Sequence, residues 1–187
     1  MGQPVIHDFH ERLAHSLKAS DEPFWNLAYR KAFFGVVGFI PIAQDCEAQR
    51  NGIDRLVAFE DGRVLRFDEK KRDEVWPDIL LEYRSNDRTQ TPGWMDKALK
   101  IDFLAYAFMP TRRVYFFPWG LLRRSWTDNR DTWIANAKAD RDGFRHITAR
   151  NRTYSTLSIA VPIPALMAAL QQAATRMVII VDVETHA

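Results

Sequence analysis

The stretch Gln49–Lys71, QRNGIDRLVAFEDGRVLRFDEKK, decides how this chain reads. Two runs rich in Val, Leu, Ile and Phe flank Glu60-Asp61-Gly62-Arg63, and an Asp-Gly between such runs is a strong hairpin signal. The arms fall at roughly 52–60 and 63–71. Folding back returns the end of the second arm toward the start of the first, so Asp54 and Asp68 approach in space although distant in sequence. Two carboxylates with Lys70 on adjacent strands point to a divalent-metal site suited to phosphodiester chemistry. Hard Mg²⁺ prefers carboxylate and carbonyl oxygens, and two acids close together repel unless a cation lies between them. On this reading Asp54 and Asp68 bind Mg²⁺ or Mn²⁺, the backbone carbonyl of Glu69 supplies a third oxygen, and Lys70 orients the attacking water or steadies the phosphate.

The period of a strand leaves a choice of register. Lys70 lies two residues beyond Asp68 and shares its face, whereas Glu69 and Lys71 form the same acid-x-Lys pair on the opposite face. Leu65 and Phe67 go with Glu69 and Lys71, and Val64 goes with Asp68 and Lys70, so the apolar residues do not decide the matter. The pair Asp68 and Lys70 is favoured, against a reading in which DEKKR is a solvated strand end.

The surrounding composition is that of an ordinary globular chain. At 187 residues, 47% of them hydrophobic and 27% charged, one domain over 1–187 is expected. A formal charge of +2 permits a polyanionic partner without demanding one. The single cysteine, Cys46, excludes an internal disulfide and fits a reducing compartment. The amino end has no secretory signal pattern, and no apolar run approaches the ~20 residues of a spanning helix. A soluble, cytoplasmic protein with no membrane partner is the expectation.

Upstream, Ile6, Phe9, Leu13 and Leu17 predict an amphipathic helix over 5–19, and Pro23 in a first turn opens a second that runs to about Phe34. Gly35 and Gly38 frame Val36-Val37 and lead into Phe39-Ile40-Pro41-Ile42, which predicts a first strand that Pro41 confines to an edge or a bulge. Downstream, Ile79–Arg84 reads as a strand, 85–93 as a mobile loop and 94–100 as a short helix. Residues 101–108 and 113–117 read as a second hairpin, and 119–138 as a helix broken near Thr127–Asn129. The core thus spans about 36–138. A segment of strand, helix and final strand or tail follows over about 156–183, whereas 140–151 is polar and Arg-rich.

The arrangement Gly52-Ile53-Asp54, a hairpin, then Asp68-Glu69-Lys70 resembles the PD-(D/E)XK nuclease superfamily. More narrowly, Gln49–Arg55, Phe67–Lys70, Ile79–Tyr83 and Pro92-Gly93-Trp94 resemble uncharacterised phage and prophage members. The resemblance runs from about Cys46 to Trp126. It implies an α/β, restriction-endonuclease-like fold with a central mixed, mostly antiparallel sheet of about five strands flanked by helices. Asp54 matches the first motif acid, with Ile53 where the motif has Pro; Asp68 matches the (D/E), Glu69 the x and Lys70 the lysine. The implied activity is metal-dependent nucleic-acid hydrolysis, with DNA the favoured substrate. The alternative is an inactive nuclease-fold protein that binds nucleic acid or a phage protein.

Secondary candidates are Gln49, entering the first arm, and Glu82, an acid in an apolar strand. Arg112, Arg113, Arg123 and Arg124 are candidate phosphate contacts, as is the basic group between Arg141 and Arg152. Trp119, Trp126 and Phe144 among them read as core packing rather than base-stacking. His7, His10 and His15 lack an HExxH pattern, and no phosphate-cradling GxxxxGK[ST], GxGxxG or GxSxG motif is present.

Overall fold

The structure, a computed structural model, describes residues 23–42, 46–174 and 179–182. The helix expected at 5–19, with its three histidines, lies outside the described residues. Helix α1, Pro23–Ala32, starts with proline in its first turn and leads into strand β1, Val36–Pro41. The short helix α2, Cys46–Arg50, precedes the hairpin of β2, Arg55–Phe59, and β3, Val64–Arg72. Asp61 closes that turn, its Oδ1 accepting the Arg63 N–H at 3.0 Å. Strands β4, Asp78–Asn86, and β5, Thr91–Pro92, follow, with a 3₁₀ turn at Trp94–Asp96. The second hairpin is β6, Phe103–Phe108, and β7, Arg113–Pro118. Helix α3, Trp119–Lys138, β8, Arg145–Arg150, β9, Ser155–Pro162, helix α4, Ile163–Ala174, and β10, Ile179–Asp182, complete the order.

The class is α/β, but its strands divide between two sheets rather than forming one of about five. The first has the order β1-β2-β3-β6-β7-β10 and the second β5-β4-β9-β8. Pairing is antiparallel throughout except for β3 with β6. A parallel pair needs a long crossover, and β4 leaves the first sheet within it to seed the second. Strand β1 is an edge with a bulge between Val36 and Gly38, the environment a terminal proline tolerates.

Three local expectations need correcting. Residues 85–93 are largely structured: β4 runs on to Asn86 and turns back into β5, with the Asn86 side chain accepting the Arg88 and Thr89 N–H groups at 3.0 and 3.1 Å. Helix α3 is continuous through Thr127–Asn129. Thr127 Oγ1 donates to the Arg123 carbonyl and Asn129 Nδ2 to that of Ser125, both at 2.9 Å, so the polar groups are satisfied within the helix. The polar segment 140–151 contains β8, an edge strand of the second sheet.

Alternation along β3 and β6 gives the first sheet two covered faces. Phe67, Ala105, Ala107 and Phe116 pack under α1 with Trp25, Ala28 and Tyr29. On the other face Leu104, Tyr106, Phe108 and Phe117 join a larger core built from β4, β9, α3 and α4. Asp78, Leu80 and Glu82 share one face of β4 and meet the first sheet there. Buried Asp78 accepts Arg72 at 2.8 Å and Arg145 at 2.6 Å, the Leu80 N–H donates to the Tyr106 hydroxyl at 3.2 Å, and both guanidinium groups lie over the Trp76 ring. No helix among the described residues is long and apolar enough to cross a membrane.

Removing one member of a buried ion pair strands its partner. Asp78→Ala is expected to lower unfolding free energy in urea by about 3 kcal/mol; a loss below about 1 kcal/mol, the range of surface pairs, would show that this seam does not join the sheets.

Candidate active site

The chain reaches the candidate site through a turn that places Asp54 on the open end of the hairpin. Helix α2 gives way to a turn at Asn51-Gly52, where the Gly52 φ of +76° is a left-handed conformation that favours glycine. A side chain there would also meet Leu99 at 2.9 Å. Asp54 then lies between two strands. Its N–H donates to the Phe67 carbonyl at 2.8 Å, and its carbonyl accepts the Ile42 N–H at 3.0 Å.

The hairpin brings Asp54, Asp68 and Lys70 together. Asp54 Oδ2 accepts the Glu69 N–H at 2.8 Å, and Lys70 Nζ donates to Asp68 Oδ1. The Asp68 side chain is 3% exposed and that of Lys70 34%, so the acid is sealed while the lysine side chain is partly exposed. Burial pushes the Asp68 carboxyl up to about 7; Lys70 pulls it back, and the neighbouring Asp54 carboxylate pushes it up again. Burial works against the Lys70 ammonium as well, but Asp68, Asp54 and Glu82 outweigh it and hold its pKa above the usual lysine value. The group has more acids than bases, with Asp68 buried and Asp54, Lys70 and Glu82 partly buried around it.

Glu69 faces the other way. Its carboxylate is buried under α1, where Arg55 Nε donates to Oε1 at 2.6 Å and the Tyr29 hydroxyl to the same oxygen at 2.8 Å. The pairing with β6 explains the division: Asp68 and Lys70 sit beside Leu104 and Tyr106, and Glu69 and Lys71 beside Ala105 and Ala107. The Glu69 main chain nevertheless belongs to the Asp54 side. Because a strand residue presents N–H and C=O to the same edge, its carbonyl points along the edge where its N–H binds Asp54.

Glu82 enters from the second sheet. Burial raises its pKa, opposed by the Trp94 N–H and by Lys70 and Lys97. The turn that carries Trp94 crosses β4 so closely that a Cβ on Gly93 would lie 2.4 Å from the Glu82 carbonyl oxygen, which only glycine permits. Gln49 is exposed on α2.

The four arginines expected to meet phosphate are not gathered into one patch. Arg112 and Arg113 open β7, whereas Arg123 and Arg124 lie in the helix that begins at its far end, roughly 20 Å away for six strand residues. Arg113 pairs with Asp182 and Arg124 with Asp128. Arg123 Nη1 donates to the Met95 and Lys97 carbonyls, both at 2.6 Å, and Arg112 lies over Phe24. Lys97 lies close enough to Glu82 to lower its pKa, and the Lys100 N–H to Asn51 carbonyl bond of 2.9 Å ties the following loop to the turn after α2, with Lys100 and Arg50 exposed. Nothing in their local sequence marks them, because a loop far along the chain brings Lys97 and Lys100 to the hairpin. Trp119, Trp126 and Phe144 are buried.

Among the described residues no three His, Cys, Asp or Glu side chains form a metal-holding group. The oxygens the hairpin brings together are the carboxylates of Asp54 and Asp68, with the Glu69 main chain beside them. That set fits a Mg²⁺-type ion that keeps several waters, and not an all-protein cage. Comparison with family models, with curated proteins and with solved structures finds no match.

The raised Asp68 carboxyl has a consequence for stability. Unfolded, the group gives up its proton near pH 4; folded, it keeps it to about pH 7. Between those values the native state binds more protons, so stability falls as pH rises. The metal-free protein is expected to lose on the order of 2–4 kcal/mol between pH 5 and pH 8 relative to Asp68→Asn. Parallel pH profiles of denaturant unfolding for the two proteins would contradict this.

Proposed function

We propose that this chain is a divalent-metal-dependent nuclease of the PD-(D/E)XK type, hydrolysing phosphodiester bonds with DNA as the favoured substrate. The observation that carries the reading is the convergence of Asp54, Asp68 and Lys70 on one side of the hairpin, with the Asp68 carboxyl raised by burial and by its fellow acid. Asp54 disfavours the ionisation of Asp68, and a cation between two acids relieves such an effect. Bound Mg²⁺ or Mn²⁺ would supply charge neutralisation and an activated water.

The residues divide the remaining work. Asp54 and Asp68 supply carboxylate oxygens and the Glu69 carbonyl a third. Lys70, fixed by Asp68 yet partly exposed, offers a cation to the phosphate and to the charge that develops as the bond breaks. Glu82 faces Lys70 from the second sheet and helps keep it protonated. Lys97, Lys100 and Arg50 give the rim positive charge, which attracts a polyanion without reading its sequence.

One observation favours a second reading: Lys70 already contacts the Asp68 oxygen that an ion would take. A protein that holds nucleic acid or a phage protein without cutting it would retain such a contact.

The test is cleavage of labelled single- and double-stranded DNA with Mg²⁺ or Mn²⁺. Wild type is expected to cut, chelation to stop it, and Asp54→Asn, Asp68→Asn and Lys70→Met each to lower the rate by about 10²–10⁴-fold. Cleavage that survives Asp68→Asn would contradict the assignment, and DNA binding without cleavage at millimolar metal would favour the second reading.

A further inference from the structure

We propose that the buried network of Arg55, Glu69 and Tyr29 on the reverse face of β3 is a positioning device that holds Asp54 and Asp68 together in readiness for an ion. The inference rests on the metal-site reading for its purpose, though not for its geometry.

Asp54 and Arg55 are consecutive, and so are Asp68 and Glu69. Alternation sends the first of each pair to one face and the second to the other. On the site face this juxtaposes two carboxylates; on the reverse face it juxtaposes a guanidinium and a carboxylate. The same two backbone segments are thus pushed apart on one side and drawn together on the other. Arg55 and Glu69 are 2% and 6% exposed, so the attraction is shielded from water and from salt.

The network is also anchored. Arg55 Nε donates to Glu69 Oε1 at 2.6 Å, its Nη2 approaches Oε2 at 3.5 Å and its Nη1 approaches Asn26 Oδ1 at 3.4 Å. Tyr29 donates to Glu69 Oε1 at 2.8 Å from the next turn of α1. Helix α1 therefore fixes the Glu69 side chain, and with it the peptide whose N–H holds Asp54 Oδ2. The β2–β3 register ends at the Arg55–Phe67 pair; past it the Asp54 N–H to Phe67 carbonyl bond and the Glu69 N–H to Asp54 Oδ2 bond hold Asp54, and this side-chain tie fixes the Glu69 peptide that makes the second of them. A buried ion pair is a poor way to gain bulk stability, since apolar residues of similar volume often do as well. Its place one residue from both acids assigns it to geometry.

The experiment replaces both charges at once, Arg55→Met with Glu69→Gln, so that no buried charge is left unpaired. It has two readouts: hydrogen exchange of the Glu69 amide without metal, and Mn²⁺ affinity by calorimetry. The expected result is at least a tenfold loss of Glu69 amide protection, with β7 and β9 amides unchanged, and at least a tenfold weaker Mn²⁺ affinity. Arg55→Lys, which keeps the charge, is expected to recover most of both. Should the double variant not fold, Tyr29→Phe carries the test, with a several-fold loss in each readout. Unchanged Glu69 protection and unchanged affinity in a folded variant would overturn the proposal. If wild type binds no Mn²⁺, the metal reading fails, and the Glu69 amide alone decides whether the network sets the spacing.

Discussion

Strand β3 packs against α1 on one face and toward the second sheet on the other, and its middle, Phe67 and Asp68 with the Glu69 side chain, is buried. The side chains it buries must be apolar or find a partner within the fold. Phe67 enters the aromatic cluster with Tyr29, Phe33 and Phe116, Glu69 takes Arg55 and Tyr29, and Arg72 takes Asp78. Asp68 alone is left with a partner that also reaches solvent, Lys70. The rest of the architecture follows this demand. Helix α1 is held down by the hydroxyl of Tyr29, and the second sheet is keyed to the first through Asp78 and Glu82.

The same constraint explains why charge on the two faces is balanced differently. Under α1 the ions match one to one and are sealed. On the Asp54 side the acids outnumber the base, and the imbalance appears as a carboxyl that holds its proton to about pH 7. Two close acids are relieved either by a proton on one of them or by a cation between them, and on the proposed reading a metal ion takes the place of the Asp68 proton.

Much of this was legible in the sequence, and the limits are physical. The hairpin could be read because turn chemistry is local: Asp61-Gly62 specifies the reversal, and the reversal fixes that Asp54 and Asp68 meet. The face of Asp68 could not be decided from β3 alone, because Leu65 and Val64 point to opposite sides and both are apolar. It is set by β6, where Leu104 and Tyr106 sit beside Asp68 and Lys70, a pairing with no local signature. The second sheet was hidden for a similar reason. Strand β8, RHITAR, is an edge with polar residues, and only its pairing with β9 makes it a strand. The arginine pairs read as candidate phosphate contacts from their charge, and their partners in the fold, such as Asp182 for Arg113 and Asp128 for Arg124, have no local signature. Arg123, bonded to two carbonyls behind Trp94, braces the turn that packs on Glu82.

Anomalous scattering from a crystal soaked in Mn²⁺ tests the central claim most directly. The predicted result is one peak between the carboxylates of Asp54 and Asp68, within coordination distance of both and of the Glu69 carbonyl, with Lys70 drawn away from Asp68 Oδ1. A site that stays empty at millimolar Mn²⁺, with the Lys70–Asp68 contact intact, would contradict it.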